Sequence, residues 1–149
     1  MSTPDWNIPY VPENVRDPAA GVNLGFQAID TALTEVSEKA DPGMPQNIQS
    51  AAYTLLISDN GKHILHPSAD TAARTFTIPA SASVAFPIGA EVSFVNQNGA
   101  GVITIAITTD TLRLAGAGTT GNRALSANGI ATALKLAATE WIISGAGLT

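Results

Sequence analysis

The sequence of 149 residues has no cysteine and only small fractions of charged and aromatic residues. The absence of cysteine excludes a disulfide framework and thiolate chemistry. Charged residues make up 13% of the chain, about half the usual fraction of a soluble domain. A surface so poor in charge predicts that much of the outside is covered by copies of the same chain or by a larger assembly.

Basic residues are also scarce, and the balance of acidic and basic residues differs between the two parts of the chain. Residues 1 to 47 carry seven acidic and two basic side chains, whereas residues 48 to 149 carry five of each. Without a basic patch, binding to a phosphate backbone has no electrostatic driving force, so we expect no nucleic-acid partner. No apolar run approaches the roughly 20 residues that span a bilayer. The first ten residues lack the basic start and apolar core of a signal peptide, so we expect neither a membrane partner nor ordinary secretion.

Residues 1–17 are predicted to form an extended arm. Pro4, Pro9 and Pro12 disfavour a helix and remove hydrogen-bond donors. Apolar side chains nevertheless recur in this segment: Trp6, Ile8, Tyr10 and Val11. One interpretation is an arm that docks these side chains into pockets on a partner protein, since aromatic anchors dominate interface energetics. The alternative is a strap that packs on the protein's own body.

Residues 18–41 are predicted to form a helix. Asp17 is a good N-cap, Pro18 suits the first helical position, and the sequence DPG follows from Asp41. Apolar residues recur at alternating spacings of three and four, the pattern of a coiled-coil seam. The central seam positions are Val22, Phe26, Ile29, Leu33 and Val36. β-Branched residues at the d positions favour three strands over two, which predicts a homotrimeric stalk. The alternative is an amphipathic helix that packs on the β-domain of its own chain.

After a linker at residues 42–50, residues 51–149 are predicted to form a β-rich head. Short segments rich in β-branched residues alternate with turn signals at close intervals. Three Asn-Gly pairs, at residues 60–61, 98–99 and 128–129, are strong hairpin signals. The pattern therefore predicts a compact antiparallel β-sandwich or barrel-like head. The predicted fold class is mainly β, with an extended arm and a short trimeric coiled-coil helix before this head.

No motif in the head indicates catalysis or a cofactor. Gly116, Gly118 and Gly121 match G-x-G-x-x-G, but no helix can follow because Asn128-Gly129 interrupts the next segment, so we expect a turn. His63 and His66 would point to opposite faces of a strand, which disfavours a metal site with Asp70. Carboxylates lie mostly beside turns, where solvated or capping roles are expected. These residues are Asp59, Asp70, Glu91, Asp110 and Glu140.

The segment from Gly61 to Gly147 resembles a domain at the C-terminal end of tailed-bacteriophage and prophage appendage proteins, such as tail fibres, head fibres and minor tail proteins. The clearest pieces are FTIPASASVAFPIGAEVSFVNQNGAGVITIA, which starts at Phe76, and ATALKLAATEWIISG, which starts at Ala131. The resemblance implies a trimeric, β-rich fibre domain without enzymatic activity. It also implies an N-terminal segment that attaches to the virion.

These observations together predict a non-enzymatic structural virion protein that is assembled in the host cytoplasm. Its predicted partners are two further copies of itself and a phage capsid or tail protein that binds the N-terminal arm. The alternative is a receptor-binding tip that recognises a host-surface glycan or protein. Sugar faces are commonly bound by exposed aromatic side chains. The head offers only Tyr53, Phe76, Phe86, Phe94 and Trp141 for that role.

Overall fold

The structure is a computed structural model that describes Ile29 and residues 43–149. Residues Gly43–Thr149 form one compact unit, and it is mainly β, as the sequence predicts. Its only helical segment is a short 3₁₀ turn at Ile57–Asp59. The strands are β1 (Gln46–Ile48), β2 (Tyr53–Thr54), β3 (His63–His66), β4 (Arg74–Ile78), β5 (Glu91–Asn96), β6 (Ile103–Ile107), β7 (Thr111–Leu114), β8 (Arg123–Ala137) and β9 (Glu140–Leu148).

The nine strands form a curled sheet with two arms of parallel strands. β1, β3 and β5 lie side by side in the first arm, in the register Gln46, His63, Ser93. β2, β4 and β6 form the second arm, in the register Tyr53, Phe76, Ile105. The chain alternates between the arms, so each pair of consecutive strands forms one rung, as in the coils of a parallel β-helix. We name β1 with β2 the first rung.

The long strand β8 closes the last rung. Its C-terminal half pairs antiparallel with β5, and its N-terminal half pairs antiparallel with β6. The ladder with β9 shifts register between Leu125 and Ile130, and within this interval Asn128 has a φ of 61°. β8 therefore bends where it passes from the second arm to the first. The Asn128 side chain donates to Asn98 Oδ1 at 3.2 Å, which holds this bend beside the corner between β5 and β6.

The two arms enclose a single apolar core. Inward positions alternate along each strand, as with Val92 and Phe94 in β5, which are fully buried. Phe76 of β4 stacks on Phe94 of β5 with ring centroids 6.5 Å apart, and its edge meets His66 of β3 at 6.0 Å. Apolar side chains of the two arms therefore contact one another in the core, and their burial stabilises the curled sheet.

The predicted antiparallel β-sandwich or barrel-like head is wrong in its strand pairing, although the sheet does curl as in part of a barrel. Within residues 43–149, β8 and β9 form the one hairpin of consecutive strands, and both arms are parallel throughout. The Asn-Gly pairs mark rung corners and the β8 bend, where Gly61 and Gly99 have φ near 78° and Asn128 has φ 61°. An Asn-Gly pair favours a left-handed backbone conformation. Corners between the arms need this conformation just as hairpin turns do, so the pair does not distinguish the two.

The β-domain also begins earlier than the predicted head. β1 lies within residues 42–50, which the sequence predicts to be a linker, and it pairs with His63, Ile64 and Leu65 of β3. The polypeptide therefore enters the curled sheet through an edge strand soon after the predicted stalk.

Candidate interaction surface

The predicted stalk and arm residues are almost all outside the described part of the chain. This applies to the docking residues Trp6, Ile8, Tyr10 and Val11 and to the seam residues Val22, Phe26, Leu33 and Val36. Ile29 is described: it is helical and 56% exposed. The trimeric seam and the docking arm therefore stay predictions.

The glycine motif forms a turn, as predicted. Gly116, Gly118 and Gly121 all have positive φ, between 71° and 117°, in the loop between β7 and β8. The Leu114 amide donates to Thr119 O and the Gly118 amide donates to Leu114 O, so the loop is closed by its own backbone. A strand follows it, and the motif therefore lacks the helix N-terminus that a dinucleotide-binding loop needs.

The two histidines lie on opposite faces of β3, as predicted. His63 is half-buried on the outer face, with its Nε2 2.9 Å from Gln46 Nε2. His66 is fully buried, with Nδ1 3.0 Å from Asn96 Oδ1 and Nε2 3.0 Å from Asp70 Oδ2. No group of three or more potential metal ligands occurs among the described residues.

Asp70 links the buried His66 to Arg74 at the start of β4. Arg74 Nε lies 2.7 Å from Asp70 Oδ2, and the Asp70 side chain is only 10% exposed. The hydrogen bond from Arg74 is the main cause that holds the pKa of Asp70 well below its ordinary value of 3.8. His66, Asn96 and Asp70 thus form a polar chain across the corners between arms, where Asn96 Nδ2 also donates to the carbonyls of Gly101 and Leu125.

A second buried polar cluster joins the β4–β5 loop to β8. Lys135 Nζ donates to Ser81 Oγ at 2.6 Å and lies 3.7 Å from Asp110 Oδ2. Ser81 Oγ is 2.5 Å from the same carboxylate oxygen. The Lys135 and Asp110 side chains are 2% and 4% exposed, and the ammonium also sits 5.0 Å above the Trp141 ring.

The chemistry of this cluster favours a structural role. A serine nucleophile needs a base that is free to take its proton, whereas the Asp110 carboxylate that accepts from Ser81 is also paired with Lys135. Burial of the ion pair and its hydrogen bonds leave the ammonium satisfied within the fold. The cluster therefore fixes the β4–β5 loop to the last strand of the rungs.

Asp59 ties the two edge strands to each other. Its carboxylate accepts from Asn47 of β1 at 2.9 Å and from the Tyr53 hydroxyl of β2 at 2.8 Å. It also accepts from the Leu56 amide at the start of the 3₁₀ turn. Burial and the bond to Asp59 raise the pKa of Tyr53. These hydrogen bonds therefore link the two edge strands on the inner side of the curled sheet.

The expectation of solvated or capping carboxylates holds in part: Asp59 and Asp70 cap turns by accepting from the Leu56 and Ala72 amides, but several of the carboxylates are not solvated. Asp59 and Asp110 are buried, and Asp70 is nearly so. Glu140 pairs with Arg113 at 2.8 Å across β7 and β9, and Glu91 is exposed. Asp59 and Asp70 find their donors within their own rung, whereas Asp110 accepts from Ser81 in the corner between β4 and β5.

The aromatic side chains of the head are used in its core. Phe76, Phe94 and Trp141 are fully buried, Phe86 is 4% exposed, and Tyr53 is half-buried with its hydroxyl bonded to Asp59. Residues 43–149 therefore present no aromatic platform for a sugar ring.

Exposed apolar side chains are concentrated in the first rung and its corners. Four of the eight large exposed apolar residues between residues 43 and 149 fall within residues 44–57: Met44, Ile48, Leu56 and Ile57, each between 46% and 57% exposed. The others are Ile88, Val102, Ile130 and Leu136. The opposite end of the arms is covered by β8, β9 and β7. The first rung is therefore the candidate interaction surface.

The comparisons with known proteins do not identify a relative. No protein family, no curated protein and no solved structure matches this chain. Among the described residues, no helix has both the length and the apolar character that a bilayer crossing requires.

Proposed function

We propose that this protein is a non-enzymatic structural component of a tailed-bacteriophage virion. It forms a small homotrimeric fibre or decoration appendage on the capsid or tail. Residues 1–17 attach it to the particle, residues 18–41 form the three-stranded stalk, and the curled sheet is the head. The resemblance of Gly61–Gly147 to phage appendage domains supports the biological setting.

The observation that carries the proposal is the position of the exposed apolar first rung. Met44 and Ile48 lie four and eight residues after Ala40, the last apolar position of the predicted seam pattern. A trimeric stalk would bring three such surfaces together. Burial of these surfaces between subunits would add hydrophobic stabilisation to a head that has few aromatic residues in its own core.

The use of polar groups within the head supports a structural role over catalysis. Asp59, the pair Lys135–Asp110 and the chain from Asn96 to Arg74 are each engaged by partners inside the fold. A catalytic group needs capacity to bind or exchange protons with a substrate. These groups stabilise corners and loops.

Deletion of residues 2–16 tests the docking arm. The deleted protein is expected to stay trimeric, since the seam is intact, and to be absent from purified particles, because the anchor side chains are lost. Immunoblotting of particles, normalised to the capsid protein, measures incorporation. Trp6→Ala with Tyr10→Ala should reproduce the loss, whereas the matched variant Asn7→Ala should incorporate normally. If the protein that lacks residues 2–16 is incorporated normally, residues 1–17 do not attach the protein to the particle.

A further inference from the structure

β1 is an edge strand whose outer side has no partner strand among residues 43–149. It ends the strand order of the first arm. His63 N donates to Pro45 O and Gln49 N donates to Leu65 O, so β1 bonds to β3 through alternate residues. In a strand the backbone groups of successive residues point to opposite sides, which directs those of Gln46 and Ile48 away from β3. An exposed edge of this kind is a template for pairing with another chain.

The exposed side chains of the first rung are uncharged, and three of the large ones are apolar. Ile48 is 57% exposed on β1, and Leu56 and Ile57 are 53% and 52% exposed in the turn that follows β2. The interior of the rung is closed by Asn47, Tyr53 and Asp59, which bond to one another. The rung is therefore internally complete, and it exposes large apolar side chains where the outer face of a terminal repeat is normally polar.

The length of the connection indicates which partner covers this edge. The predicted seam extends to Ala40, six residues before Gln46. Six extended residues reach about 20 Å at most. In a trimer that forms through the seam, each first rung is therefore held within this distance of the stalk end, at a high effective concentration of the same surface from the other copies.

Charge permits this approach of identical copies. Residues 43–149 carry five basic and five acidic side chains, so the head is neutral. Copies of a neutral head meet without the mutual repulsion that a net charge would produce.

We infer that the first rung of each head is covered by a second copy of the same chain, with Ile48, Leu56 and Ile57 buried between subunits. The inference rests on the proposed trimer and names the surface through which its heads meet. It also orients the heads: the first rung lies near the threefold axis, and β9 lies away from it.

Spin labels on single cysteines test this orientation, because the natural chain has no cysteine. Ile48→Cys places a label on β1. Ser144→Cys is the matched control, because Ser144 is exposed on the same outer face in β9. The two positions are four strands apart, about 19 Å along the sheet. The distances between labels are measured in the full-length proteins by pulsed dipolar spectroscopy. The molar mass of each labelled protein in solution is measured at the same concentration.

The expected result is a distance between Ile48→Cys labels that is shorter than that between Ser144→Cys labels by on the order of 10 Å or more. A trimeric mass with equal or longer distances at Ile48→Cys would overturn the inference and leave the trimer standing. A monomeric mass without dipolar coupling at either site would overturn the trimer itself. Gln46→Cys, also exposed on β1, provides a second label on the same edge if Ile48→Cys impairs folding.

Discussion

Removal of one member of a buried ion pair should destabilise this head strongly. Lys135→Met removes the cation beside Asp110, whose side chain is 4% exposed. The carboxylate then lies buried without its partner, so the free energy of unfolding should fall by roughly 3–5 kcal/mol. Urea unfolding followed by tryptophan fluorescence measures the loss.

The matched control is the double variant Lys135→Met with Asp110→Leu. It removes both charges, and replacement of a buried ion pair by apolar groups is often close to neutral. Most of the lost stability should therefore return. A single variant as stable as the natural protein would show that the pair does not hold the β4–β5 loop in place.

Asp70 gives the head a characteristic sensitivity to acid. Its folded-state pKa lies below the ordinary value of 3.8, mainly because of the hydrogen bond from Arg74. The stabilisation is therefore fully present above about pH 4. It is lost progressively as the pH falls from there towards the folded-state pKa.

Asp70→Asn should lower the thermal midpoint at pH 6 and should flatten the fall in midpoint between pH 5 and pH 2. Thermal unfolding followed by circular dichroism over this range measures both effects. Exposed Glu91→Gln is the control and should leave the slope unchanged. If the thermal midpoint of Asp70→Asn falls as steeply with pH as that of the natural protein, the Asp70–Arg74 ion pair does not cause the acid sensitivity.

At the scale of elements, the close stacking of rung corners depends on Gly101. A Cβ at this residue would overlap the Ala72 carbonyl in the corner of the rung below. The Gly101 amide also donates to Asp70 O at 3.1 Å. Gly101→Ala should therefore destabilise the head by about 1–3 kcal/mol, the usual range for overpacking.

Gly99→Ala is the matched control in the same corner. Its Cβ would enter open space, but its φ is +79°, so only the strain of a left-handed backbone applies, about 1 kcal/mol. Chemical denaturation of both variants should rank Gly101→Ala as the less stable. The reverse order would contradict the stacked corners.

The sequence predicts strands well and their partners poorly. Alternation in segments such as β4, β5 and β6 reveals strands, but the same alternation suits parallel and antiparallel neighbours. The pairing of His63 with Ser93 depends on contacts between distant segments. β1 is too short to show a pattern. The buried Lys135 could have been predicted from the sequence. It continues the alternation of Ala131 and Ala133, whose side chains face the core from β8.

The full-length chain combines a predicted trimeric stalk with a neutral head whose first rung has no partner strand on its outer side among residues 43–149. The seam places Leu33 at an a position and Thr34 at the neighbouring b position. Leu33→Asp should abolish the trimer because three carboxylates would meet in an apolar seam. Thr34→Asp should leave it intact, because a b position faces solvent.

The most direct measurement is the mass of the full-length protein in solution, by light scattering at micromolar concentration. The account predicts a mass three times that of the 15.2 kDa chain for the natural protein and for Thr34→Asp, and a smaller mass for Leu33→Asp. A mass near 15.2 kDa for the natural protein would contradict the trimeric appendage on which the proposed function depends.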